Sequence, residues 1–206
     1  MRAFVRETGV AVPLPRANVD TDQIIPKQFL KRIERSGYGP FLFNDWRYGD
    51  DGRERPEFVL NREPYRAGRI LLAGRNFGSG SSREHAVWAL SDFGFRAVVA
   101  PSFADIFRSN AGKGGLLAVD LPADVVAALT ARVEDRPGTE ATVDLEAQTV
   151  ELEGATHHFE VDPFLKHCLL NGLDDIGLTL EHEEAIGAFE EKRPAWMPDV
   201  RRAVAG

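Results

Sequence analysis

The chain has 206 residues, 43% hydrophobic and 28% charged, with a net charge of −7. This is the make-up of a soluble globular protein, and the acidic balance speaks against nucleic acid as a partner, because phosphate binding wants a basic surface. A single cysteine, Cys168, excludes a disulfide framework, a cysteine-ligated zinc site and an iron–sulfur cluster held by this chain alone.

Taken in chain order, Phe4 to Val12 reads as a short strand closed by Pro13 and Pro15. Residues 18 to 27 are polar and turn-rich, Phe29 to Arg35 could form one or two helical turns, and residues 44 to 57 read as an exposed loop. Arg69 to Ala73 is an apolar run that predicts a buried strand. A Gly/Ser loop follows from Gly74 to Ser82, then a helix over Arg83 to Phe93 with Ala86, Leu90 and Phe93 on one face and Gly94 as its stop. Ala97 to Ala100 predicts a second strand and Phe103 to Asn110 a second helix, ended by the glycines at 112, 114 and 115. Leu116 to Val119 predicts a third strand and Ala123 to Glu134 a third helix. This alternation is the pattern of a parallel α/β unit.

Beyond Pro137-Gly138, Thr142 to Asp144 and Thr149 to Leu152 predict a β-hairpin, while Phe164 to Leu170 and Glu181 to Glu191 predict helices. The expectation is one α/β domain over residues 1–197, a parallel strand–helix core with an added β-hairpin and C-terminal helices, and a tail at 198–206. No apolar run approaches the roughly 18 residues of a membrane helix. Met1 to Thr8 carries no apolar core of signal-peptide length. No membrane partner is expected, and the cytoplasm is the expected compartment.

The chemistry concentrates in Gly78-Ser79-Gly80-Ser81-Ser82-Arg83-Glu84-His85, between a predicted strand and a predicted helix. Glycines let a backbone turn tightly against a ligand. Free N–H groups at a helix start favour an anion. Arg83 adds a forked cation suited to a carboxylate. These features describe a site for a small carboxylate with a hydroxyl beside it. They fit equally a capping box in which Ser81 caps the helix and Glu84 reaches back.

Gly80-Ser81-Ser82-Arg83-Glu84-His85-Ala86 is similar to the G-S-S-R-E-H-A motif of the aconitase superfamily's swivelling β/β/α domain. Asn18-Val19-Asp20-Thr21-Asp22-Gln23-Ile24-Ile25-Pro26 resembles a motif of isopropylmalate dehydratase small subunits. Arg75 to Gly78, Ser102 to Phe107, Gly115 to Leu117 and Gly172 to Thr179 extend the resemblance over roughly residues 3 to 197. One departure is Ala111, where many members of that family carry cysteine.

The resemblance implies dehydration of a 2-hydroxy dicarboxylic acid to an alkene and rehydration at the neighbouring carbon. It implies catalytic roles for Ser81, as an alkoxide base, and for Asp22, which orients partners through hydrogen bonds. It gives Arg83 the substrate carboxylate, with Ser82 beside it. It places Phe29, Leu30 and Lys31 in a substrate-specificity segment, where apolar residues suit a branched alkyl group; Phe29 and Leu30 read equally well as core. The resemblance also implies a large subunit that carries a [4Fe–4S] cluster and completes the active site, this chain holding no cofactor or metal of its own. Related hydro-lyases acting on methylmalate, citraconate or homoaconitate, and a non-catalytic anion-binding module, remain open as alternatives. The histidines at 157, 158 and 167 and the tryptophans at 46, 88 and 196 read as packing or surface residues.

Overall fold

In the computed structural model, residues 1–31, 34, 36–194 and 196 are described. The described residues form seven strands: β1 (Arg6–Leu14), β2 (Ile70–Ala73), β3 (Ala97–Ala100), β4 (Leu117–Asp120), β5 (Glu140–Asp144), β6 (Thr149–Leu152) and β7 (Ala155–His158). Its α-helices are α1 (Thr21–Ile24), α2 (Asn44–Arg47), α3 (Glu84–Phe93), α4 (Asp105–Gly114), α5 (Ala123–Asp135), α6 (Pro163–Asn171), α7 (Asp175–Leu180) and α8 (Glu183–Glu191).

The strands form a sheet in the order β4-β3-β2-β1-β5-β6-β7. The first four run parallel, and β5, β6 and β7 form an antiparallel meander. β1 joins the two halves by dividing its length: Arg6 to Val10 pair antiparallel with β5, and Ala11 to Leu14 pair parallel with β2. The composition of each half follows from its cover. β2 and β3 are uniformly apolar and fully buried, as a parallel sheet packed on both faces requires. β6 alternates buried and accessible positions, as a sheet with one wet face requires. α5 packs on β1, β2 and β3, and α3 packs against α4 and α1.

The expected strand–helix core is present, with several differences in its surroundings. β1 runs through Pro13 to Leu14 rather than stopping at Val12. Pro13 lies beyond the last residue paired with β5, so its missing N–H falls where one side of the strand is open. The expected hairpin is a three-stranded meander, because Glu153 and Gly154 both take positive φ (49° and 82°) and join β6 to β7 by a two-residue turn. The loop expected at 44–57 begins instead with α2. Its Arg47 is 5% exposed and donates to Asn61 Oδ1 at 3.1 Å and to the carbonyls of Gly39 and Pro40. Residues 51 to 57 are exposed as expected. Two further helices, α1 and α7, arise from segments that lack an apolar period. Their caps are Asp20 and Asp174, which accept from the N–H groups of Gln23 and Gly177. The helical turn expected over Phe29 to Arg35 is a 3₁₀ turn at Lys27–Lys31; residues 32, 33 and 35, like the tail at 198–206, lie outside the described residues.

Candidate active site

β1, β2 and β3 are parallel neighbours, so the loops after Leu14, Ala73 and Ala100 leave the sheet at one end, where α/β proteins gather their ligands. Here the three loops are stitched together. Asn76 donates through its side chain to Asn18 Oδ1 and through its backbone to Ser102 Oγ, both at 2.9 Å. Asn18 and Asn76 both adopt left-handed backbone (φ 55° and 56°), a conformation asparagine tolerates. Val19 O accepts from the N–H groups of Gly78 and Ser79, and Ser79 O accepts from Thr21 N at 2.8 Å.

Glycine is required at Gly78, where φ is +77° and a Cβ would stand 2.2 Å from the Phe107 ring. This close approach lets the loop lie flat over α4 before turning outward at Gly80, Ser81 and Ser82, all three exposed.

Three of the expected site residues come together. Arg83 donates to Ser81 Oγ at 3.5 Å and forms an ion pair with Asp22. The other Asp22 carboxylate oxygen lies 3.3 Å from Lys27 Nζ. The Arg83 side chain is 16% exposed and that of Asp22 40%, so the pair sits half-sunk beneath the open serines. Ser82 follows on the same exposed turn. α3 begins at Glu84 with Arg83 at its N-cap and no side-chain cap, so the capping box read at Ser81 and Glu84 does not form. A capping box forms instead one loop away: Asp20 accepts from Gln23 N at 2.8 Å, and Asp20 N donates to Gln23 Oε1 at 3.0 Å.

Phe29, Leu30 and Lys31 stand in the 3₁₀ turn that begins at Lys27, and the Lys27–Asp22 contact ties this turn to the site. The Phe29 ring stacks on Phe41 at 4.3 Å, Leu30 packs partly buried against the core, and Lys31 is exposed. His85 packs in a three-ring cluster with Trp88 and Tyr38, at 4.6 and 5.4 Å. Burial holds its imidazole below the usual histidine range, Glu84 offsetting this in part.

Sequence reasoning missed Lys27, Thr21 and the asparagine pair. The D-x-x-Q spacing of Asp20 and Gln23 is the signal that could have located α1 and thus its first residue. Chemically, the arrangement offers an exposed hydroxyl beside a fixed guanidinium, with a carboxylate holding the guanidinium from behind. A cation so placed favours the deprotonated serine and can receive an incoming carboxylate.

A family model described as the aconitase C-terminal domain matches residues 1–124. One described as LeuD_N matches residues 127–163, and the C-terminal domain of the 3-isopropylmalate dehydratase small subunit matches residues 175–198. The chain is 56% identical over 192 residues to the 3-isopropylmalate dehydratase small subunit of Koribacter versatilis, covering 93% of this chain and 98% of that protein. It is 58% identical over 198 residues to the small subunit of a Parafrankia species, covering 96% and 98%. Against that of Paramagnetospirillum magneticum it is 56% identical over 199 residues, covering 96% and 99%. Among solved structures, 3-isopropylmalate dehydratase (leuD) from Methanocaldococcus jannaschii is similar with a TM-score of 0.64 at 27% identity, over 90% of this chain and 99% of that one.

Proposed function

The chain belongs to the family of 3-isopropylmalate dehydratase small subunits, and from this membership we propose how its residues serve the interconversion of 2- and 3-isopropylmalate through 2-isopropylmaleate in leucine biosynthesis. The single observation that carries the reading is the constellation of Ser81 and Arg83 at the open serine turn with Asp22, brought beside them by α1.

Arg83 receives a substrate carboxylate through its planar fork, with the Ser82 hydroxyl beside it. Ser81, as the alkoxide, removes the proton from the carbon next to that carboxylate. A free serine hydroxyl is far too weak an acid for this, and the Arg83 cation at hydrogen-bond reach of its oxygen is what makes the anion tolerable. Asp22 fixes the direction of Arg83 through the ion pair. Phe29, Leu30 and Lys31 border the alkyl group of the substrate.

The reaction also needs a Lewis acid for the departing hydroxyl. Cys168 is buried, burial pushes its thiol above the usual range, and no group of three metal-ligating side chains is assembled among the described residues. This donor set does not fit a [4Fe–4S] cluster, which takes several cysteine thiolates. The proposal therefore places the cluster in a separate large subunit that covers the open serine turn. Ile176, Leu180 and Phe189, exposed on α7 and α8, are further apolar surface of the kind that partners bury. No helix among the described residues is long and apolar enough to cross a membrane, and a cytoplasmic enzyme formed by one domain of this chain, residues 1–197, and the large subunit is the assembly proposed.

The test is reconstitution under anaerobic conditions with a cysteine-bearing large subunit. Turnover of both isopropylmalates only when the two chains are combined supports the reading. Turnover by this chain alone, or stoichiometric iron bound to it, overturns it.

A further inference from the structure

We propose that Thr21 is a positioning residue for the proposed base: its hydroxyl holds the Ser81–Ser82 peptide, and this aims the Ser82 N–H into the site. The inference rests on the reading of Ser81 given above and adds to it a residue outside the serine loop.

The observation is one hydrogen bond. Thr21 Oγ1 donates to Ser81 O at 3.0 Å, from a residue that is 2% exposed. Among the described residues, no backbone-to-backbone hydrogen bond fixes Gly80, Ser81 or Ser82, although Gly78 and Ser79 are held by Val19 and Thr21. The loop is therefore tied down by its backbone up to Ser79 and by the threonine hydroxyl at Ser81. Gly80 permits the approach: its φ is +93°, and a Cβ there would stand 3.3 Å from Asp20 Cβ and 3.5 Å from Thr21 Oγ1.

The consequence follows from peptide geometry. The Ser81–Ser82 bond is trans, and in a planar trans peptide the C=O and N–H point in opposite directions. Drawing the Ser81 carbonyl toward Thr21 turns the Ser82 N–H away from α1, toward the open side where Ser81 and Ser82 are exposed. A backbone donor held there favours anionic species at the site, whether the serine alkoxide or a substrate carboxylate. Thr21 is itself fixed, since its backbone donates to Ser79 O and it opens a helix whose cap is the Asp20–Gln23 box.

The experiment compares Thr21→Ala with Thr21→Ser in the reconstituted two-subunit enzyme, with Ser81→Ala as control. Alanine and serine both lack the γ-methyl group, so any packing loss is common to them and only the hydroxyl differs. Expected is a fall in kcat of about 100-fold for Thr21→Ala, the scale of a misplaced catalytic geometry. KM should stay within about threefold, and Thr21→Ser should recover most of kcat. The ascending limb of the kcat–pH profile should move to higher pH in Thr21→Ala, because an anion with one donor fewer forms less readily. Equal kcat for alanine, serine and wild type overturns the inference, as does equal impairment of alanine and serine with an unmoved pH limb. An active Ser81→Ala enzyme overturns instead the reading of the base on which the inference rests.

Discussion

Arg83 at the start of α3 and Asp22 in α1 form an ion pair between residues 61 positions apart in the chain, and Lys27 takes the second oxygen of the same carboxylate. The pair brings the proposed substrate-binding cation under the control of a neighbouring element. Asp22→Asn should lower kcat/KM of the reconstituted enzyme by roughly 10- to 100-fold, because Arg83 loses its anchor. The thermal midpoint should move little, since Asp22 is 40% exposed and keeps its other oxygen toward Lys27, and such a half-exposed pair contributes about 1 kcal/mol. Steady-state kinetics beside a melting curve checks both halves.

Arg83→Lys keeps the charge and discards the planar fork. A lysine is a point charge that cannot match a carboxylate with two parallel bonds. A large loss of kcat/KM with unchanged subunit association is expected. Kinetics near wild type would remove Arg83 from substrate binding.

Ser81→Ala separates chemistry from capping. The Ser81 side chain caps nothing and is exposed, so stability should stay within about 0.5 kcal/mol of wild type. Turnover should fall by several orders of magnitude. Asp20→Ala makes the contrast: it removes the capping box of α1 and should cost about 1 kcal/mol. Paired denaturant titrations of the two variants read the difference directly.

Stability should depend on pH through His85. Burial lowers its folded-state value, against an unfolded value of 6.5. The unfolded chain therefore binds the proton more readily, so this contribution is complete above about 6.5 and is lost as pH falls below it through the folded value. His85→Gln should flatten that part of the stability–pH curve, measured by urea midpoints across the range.

Gly78→Ala should destabilise the free subunit by about 1–3 kcal/mol, through left-handed strain and a collision with Phe107. A midpoint unchanged by this substitution would show that the loop moves away from α4 at no cost.

The parallel core was legible because β2 and β3 are short apolar runs separated by a helical period and bounded by glycine. The serine loop was legible for its glycines and its lone arginine. What local pattern could not reveal was pairing over distance. β1 reads as one strand, yet its two halves take different partners, one 59 residues on and the other 130 to 138. Arg47 reads as a loop cation because its charge hides the packing of its stem, and its hydrogen-bond acceptors, Gly39, Pro40 and Asn61, carry no periodic signal. Ser81 and Glu84 have capping-box spacing, but the glycine turn carries the serine outward and leaves the helix to begin three residues later. The box that does form, at Asp20 and Gln23, heads a helix of only four residues, too short to show an amphipathic stripe.

The divided pairing of β1 also sets an order of events during synthesis. The strand is made before its antiparallel partner, which ends at Asp144 and pairs with residues 130 to 138 positions earlier in the chain. At about 5–20 residues per second, on the order of ten seconds pass before β5 has been made. Through that interval Arg6 to Val10 belong to a half-strand whose β5 side is still open, the condition in which nascent chains pair with the wrong neighbour. A chaperone bound to β1 would have its greatest effect on yield, and slowing translation between β1 and residue 140 would lengthen the exposure.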